Sequence, residues 1–331
     1  MNQLIPIGAP SAGFIPALVA ASGEHARWRF LEFFTAHIRN PNTRRAYGRD
    51  VSTFLAWCAA AGARSLAEIT PFHVAGYIEQ LGRARAAPTA KRHLAAIRAL
   101  FDWLVMGQVV PVNPAHSVRG PKYSQRFGKT PVLAAEEARL LLDAIDAGTI
   151  AGLRDRALIG LMVYSFARIG AATAMRVEDV FVQNRRLWLR LHEKGGKAHV
   201  MPCHHTLEAF LDAYLDASGL RHEPKAPLFP TIRRGSGRAT GTASGGGALT
   251  RRAMSQDDAY RMVGRRAAAA GIATRIGNHT MRGTGITTYL KNGGTLEKAR
   301  DMANHADTRT TQLYDRRRDE VNLDEIERIL I

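Results

Sequence analysis

The chain is poor in cysteine and short of acid. Its two cysteines, Cys58 and Cys203, are too few for a disulfide framework, and neither sits in a CxxC pair. They are expected to be reduced thiols. Cys203, His204 and His205 are adjacent and metal-capable, but they lack the spacing of a known ligand set and read as surface histidines. No metal and no other cofactor is expected. Long apolar runs are also missing. The stretch "AGFIPALVAA" from Ala12 is far too short to span a bilayer, holds a proline and lacks the basic flank of a signal peptide. These absences point to a cytoplasmic protein without a membrane partner. Residues 233–252 are rich in glycine, but no strand leads into them and their spacing matches no phosphate-binding fingerprint, which excludes a nucleotide site there. The shortage of acid is the most informative. Against 29 Asp and Glu stand 46 Lys and Arg, a net charge of +17 with pI ≈ 10.6. Such a balance calls for a polyanion: nucleic acid first, an anionic membrane surface second.

At 331 residues, two domains are expected. Residues 1–22 read as a flexible arm. Residues 23–115 read as an all-helical domain. One helix starts at Asn42 or Thr43, turns Tyr47, Val51, Phe54, Leu55 and Cys58 to one face, and ends at Gly62. A second has Thr70 as cap and Pro71 at its first position. A third, within 88–107, directs Leu94, Ile97, Phe101 and Leu104 inward, with Lys91, Arg92, His93 and Arg98 decorating it. Residues 116–131 are a basic linker, inside a stretch (113–131) with three prolines, four basic residues and no acid. Residues 132–331 mix helices with a hairpin: "RLWLRL", a glycine turn carrying Lys194 and Lys197, then "AHVMP". The fold class is therefore mainly α with a small β-hairpin in the second of two lobes. Residues 233–252 form a long basic loop.

Four patches of the second half share a chemistry: Arg168 at a helix end, Lys194 and Lys197 at the hairpin tip, His279 and Arg282 one helical turn apart, and His305 with Tyr314 nine residues on. Each has a plain structural reading. Arg168 suits an ion pair, tip lysines are usually solvated, and a tyrosine usually packs. Converged, they make a metal-free phosphoryl-transfer site. Paired guanidiniums clamp phosphate oxygens, histidines move protons near neutrality, lysine protonates a leaving oxygen, and tyrosine attacks phosphorus.

This order resembles the tyrosine recombinases of the phage integrase family: Arg168, Lys194 in "EKGGKAHVMP", "HTMR" with His279 and Arg282, His305, and Tyr314 in "LYDRR". The hairpin alignment selects Lys194 over Lys197. "NTRRAYGRDVSTFLAW" is similar to the family's helical core-binding domain. The resemblance spans nearly the whole chain from about residue 25.

It implies a two-lobed clamp on duplex DNA and site-specific cleavage and rejoining through a 3′-phosphotyrosine. It also implies a homotetramer on paired core sites, with an accessory protein possible. Arg168 and Arg282 would hold the phosphate, His279 accept a proton, His305 donate a hydrogen bond and Lys194 act as general acid. Two departures stand out. The family often has an acid where Ala171 lies, and a histidine where Gly283 lies. A type IB topoisomerase and a catalytically silent DNA-binding protein remain as alternatives. The tail 321–331, with Leu323, Ile326, Ile329 and Leu330 on one side, suits docking on a neighbouring protomer or on its own domain.

Overall fold

The computed structural model describes residues 15–124, 128–193, 198–233, 248–277 and 279–316. The chain divides into two compact units, Met1–Ser124 and Gln125–Ile331.

The first unit is helical throughout its described residues: α1 (Ala17–Ala21), α2 (Glu24–Glu32) running into a π turn (Phe33–His37), α3 (Pro41–Ala60), α4 (Pro71–Ala84) and α5 (Ala87–Met106). Helix α3 begins earlier than its sequence suggests. Asn40 is the cap, its side-chain oxygen accepting from the N–H groups of Asn42 (2.9 Å) and Thr43 (3.2 Å), and Pro41 takes the first helical position. Phe54, Leu55, Ile97, Leu100, Phe101 and Leu104 make the core. Three expectations are corrected. The arm ends before residue 17, because Leu18 and Val19 of α1 are buried in that core. The linker begins later than 116, because Val118 is also buried and Arg98 donates to the carbonyls of Ala115 and Val118. His93 does not decorate α5 but lies inside it, bonded to Asp50 and Tyr77.

The second unit surrounds α7 (Ile150–Tyr164), whose buried side chains occupy nearly its whole circumference. Around it pack α6 (Ala135–Asp143), α8 (Ile169–Ala174), α9 (His205–Ser218), α10 (Gln256–Ala269), α11 (Thr280–Lys291), α12 (Leu296–Met302) and α13 (Thr308–Gln312). The hairpin is part of a three-stranded antiparallel sheet, β1 (Val180–Gln183), β2 (Arg186–His192) and β3 (Ala198–Pro202). Leu187, Leu189 and Leu191 of β2 alternate into the core, as period two requires. Strand β1 escapes sequence reading because its turn lacks glycine. Asn184 and Arg185 both take positive φ (50° and 60°), the geometry of a two-residue hairpin turn. Two short strands, β4 (Pro230–Ile232) and β5 (Leu249–Ala253), pair antiparallel at the ends of the basic loop, whose residues 234–247 lie outside the described ones.

Candidate active site

Arg168 caps the N-terminus of α8 in extended backbone. It follows a tight turn in which Phe166 is forced to φ +53°, a strained value for a bulky side chain. Two interactions hold that strain. The Phe166 ring is buried against Ile286 and Leu290 of α11, and its carbonyl accepts a hydrogen bond from Arg282. Arg282 is 2 % exposed and also donates to the carbonyl of Ala303, so one guanidinium fastens the Arg168 turn to the end of α12. Helix α11 comes this close because residue 285 is glycine; a Cβ there would lie 2.0 Å from the Val163 carbonyl oxygen.

At the end of α12, Asn304 takes φ +46° and turns the chain so that His305 points inward. The His305 backbone N–H donates to Arg300 (3.0 Å), and its Nδ1 pairs with the buried Thr311 hydroxyl (2.9 Å). Its Nε2 is thereby the nitrogen left for a substrate oxygen. The Tyr314 ring stacks on the His305 ring, centroids 6.1 Å apart and planes 10° apart. The other side of that tyrosine lies over Gly283. A Cβ at 283 would stand 3.1 Å from Tyr314 Cε1 and 3.0 Å from Val132 Cγ1. At Gly283, where the resemblance leads one to expect a histidine, any side chain would press on the Tyr314 ring and Val132.

The backbone around Tyr314 is pinned as well. Its carbonyl accepts from Thr287 Oγ1 (2.9 Å) and its N–H donates to Thr311 (2.9 Å). Arg316 donates to the carbonyls of Gly128 and Thr130, and Gly128 packs so closely on Leu313 that a Cβ would lie 2.0 Å from its carbonyl oxygen.

His279 takes the N-cap position of α11 and is partly exposed to solvent. Burial first, then the charges of Arg282 and Arg168, lower its pKa. The same causes in the same order press His305 down to about 3. Both imidazoles are therefore neutral at pH 7, able to accept a proton or donate one hydrogen bond. Burial and the Arg168 charge lower Arg282 to about 10, with Glu193 and Tyr314 opposing the shift, so it stays a cation at neutral pH. Glu193, at the end of β2, forms an ion pair with Arg168.

Five of the six candidates, Arg168, His279, Arg282, His305 and Tyr314, thus come together; Lys194 lies outside the described residues. Strand β3 does approach the site, through His199 Nε2 and the Met302 carbonyl (3.1 Å). Sequence reading missed Glu193, Thr287, Thr311 and Gly128. Only Glu193 carried a signal, as the direct neighbour of Lys194. The Cys203–His205 trio is elsewhere: His204 caps α9 and stacks on Tyr164 (4.4 Å). Burial raises the Cys203 thiol to about 12, and among the described residues no cluster of His, Cys, Asp and Glu could hold a metal ion. Nor, among them, is any helix long and apolar enough to cross a membrane.

Two electrostatically coupled arginines, two neutral histidines and a tyrosine seated on glycine define a class: enzymes that transfer a phosphoryl group to and from tyrosine. The chain belongs to the phage integrase family, which matches residues 131–320; the family's N-terminal SAM-like domain matches residues 29–108. It is similar to tyrosine recombinase XerD of Corynebacterium glutamicum, 29% identical over 282 residues, covering 82% of this chain and 86% of that protein. Its fold matches a XerH site-specific recombinase in a post-cleavage complex with palindromic difH substrate (TM-score 0.69, 17% identity, 95% of this chain and 97% of that one). It also matches a lambda integrase tetramer bound to a Holliday junction (TM-score 0.63, 16% identity, 90% and 80%).

Proposed function

We propose that this protein is a site-specific recombinase that cuts and rejoins duplex DNA at two short core sites, with Tyr314 as nucleophile. The observation that carries the reading is the seat of Tyr314, stacked on His305 beside the Arg168–Arg282 pair. Arg168 and Arg282 bind the non-bridging oxygens of the scissile phosphate and neutralise the charge that grows in the transition state. His279, neutral at pH 7, accepts the tyrosine proton. Tyr314 Oη forms a bond to phosphorus as the bond to the 5′ oxygen breaks, and Lys194 protonates that leaving oxygen. His305 Nε2–H donates to a phosphate oxygen. The partner strand's 5′-hydroxyl then attacks the phosphotyrosine, reversing each proton movement. Bond energy stays in the ester, so no nucleotide is consumed.

The first unit binds the core site, with four protomers on two sites, and the protein acts in the cytoplasm. The net charge of +17 and the matched helical domain support DNA as the partner.

The test is covalent capture. Wild type and Tyr314→Phe are incubated with fragmented DNA of the native host replicon, and protein-linked ends are isolated under denaturing conditions and sequenced. Discrete ends with wild type alone are expected. Ends formed equally by both proteins would remove Tyr314 as nucleophile. Ends without products joining two sites would shift the reading to a topoisomerase.

A further inference from the structure

Arg168 is asked to grip a phosphate, yet it already has a partner. Its Nη1 donates to Glu193, whose carboxylate is almost fully buried while the Arg168 side chain is 35% exposed. A buried carboxylate persists only against a counter-charge, so this pair is built into the fold. On α8 itself no acid is available, since position 171 is a buried alanine. We propose that Glu193 is the positioning residue for Arg168, supplying from the strand end the carboxylate that α8 lacks. The inference rests on the strand-cleavage reading above.

Geometry and charge agree. A guanidinium carries five donors in a planar fork, and holding it by Nη1 leaves the others for phosphate oxygens. An arginine side chain at this exposure would otherwise sample many rotamers, and poised groups react faster than mobile ones. Arg168 also lowers the pKa of Arg282, His279 and His305, whereas Glu193 acts the other way on Arg282. Glu193 is thus the counter-charge that lets two guanidiniums share one site before DNA arrives. It is also the chain neighbour of Lys194, so the same pair anchors the strand end that leads to the proposed general acid.

The test compares full-length wild type, Glu193→Gln and Glu193→Asp. DNA ends captured by wild type serve as the probe. DNA affinity is measured beside the single-turnover rate of tyrosine adduct formation at saturating protein. Glu193→Gln should keep its affinity and lose rate by about tenfold or more, with Glu193→Asp recovering most of it. A wild-type rate for Glu193→Gln overturns the proposal; so does an equal loss of affinity and rate, which marks a merely structural pair.

A second arm needs no target site. Guanidinium rotation is followed by nitrogen NMR, with the Arg168 signal assigned by its loss in Arg168→Lys. Slow rotation in wild type and Glu193→Asp, and fast rotation in Glu193→Gln, is expected. Free rotation in wild type overturns the tether even if cleavage occurs. Restricted rotation without adducts from any DNA upholds the tether and removes the cleavage reading instead.

Discussion

Each unit contains a buried polar network, and the two are built on opposite principles. In the first, Asp50 is 1 % exposed and accepts two hydrogen bonds from Arg92 (2.7 and 2.9 Å) and one contact from His93 Nε2 (3.0 Å), while His93 Nδ1 meets the Tyr77 hydroxyl (2.9 Å). One carboxylate answers one guanidinium, and the bonds close on themselves. In the second, Glu193 pairs with Arg168, Arg282 is bonded only to the carbonyls of Phe166 and Ala303 and feels Glu193 through its charge, and two histidines beside them are held neutral. A network that balances its own charge is complete as folded. One that keeps a cation in excess is complete only with an anion. Both contain Arg, His, Tyr and an acid, so residue type does not separate structure from function here; charge balance does.

The comparison breaks first at Tyr314. Tyr314→Phe keeps the stacked ring and should lower adduct formation by at least about 10³-fold, with DNA affinity unchanged, because only the nucleophilic oxygen is lost. Arg282→Ala should reduce the adduct rate by about 10²–10³-fold. It should also destabilise the second unit, since the carbonyls of Phe166 and Ala303 lose their donor; urea unfolding reads the second effect. Asp50→Ala is the counterpart in the balanced network. It should cost about 1–3 kcal/mol in urea unfolding by leaving the buried His93 Nε2–H without an acceptor, while the half-exposed Arg92 is solvated by water. The adduct rate of the protein that remains folded should not change, and a large loss would mean that this network is not purely structural.

Acid sharpens the contrast. The folded pKa of His305 is about 3, far below its ordinary value of 6.5. The unfolded chain therefore binds the extra proton, and stability is full above about pH 6.5 and falls as pH drops toward 3. Over that window a single such histidine contributes a slope of up to about 1.4 kcal/mol per pH unit. His305→Gln should flatten the curve, as measured by unfolding at stepped pH. Gly283→Ala is expected to have the smallest effect. Its methyl would press Val132 and the Tyr314 ring, at 3.0 and 3.1 Å, and the adduct rate should fall by only about two- to tenfold.

Local pattern made much of this legible. The alternation of Leu187, Leu189 and Leu191, the cap and proline that open α4, and the i to i+3 spacing of His279 and Arg282 are relations within a few residues. The misreadings also have local causes. Leu18 and Val19 are too brief a run to show periodicity, and His93 carries the polarity of a surface residue until Asp50 is set beside it. Strand β1 turns on Asn184 and Arg185, without the glycine that usually announces such a hairpin.

What the sequence by itself determined is the inventory and its order: an excess of base, two lobes, and Arg168, Lys194, His279, Arg282, His305 and Tyr314 in a pattern that resembles one family. What only the tertiary structure decided is how those groups behave. It joins Arg168 to Glu193, seats Tyr314 on Gly283, and clamps the strained Phe166 turn with Arg282 from 116 residues away. It lowers two histidines through burial and through Arg282 and Arg168, the latter more than a hundred residues away in sequence. Residue type sets which protons and charges exist, but their energies depend on desolvation and on distances between groups that only packing brings together.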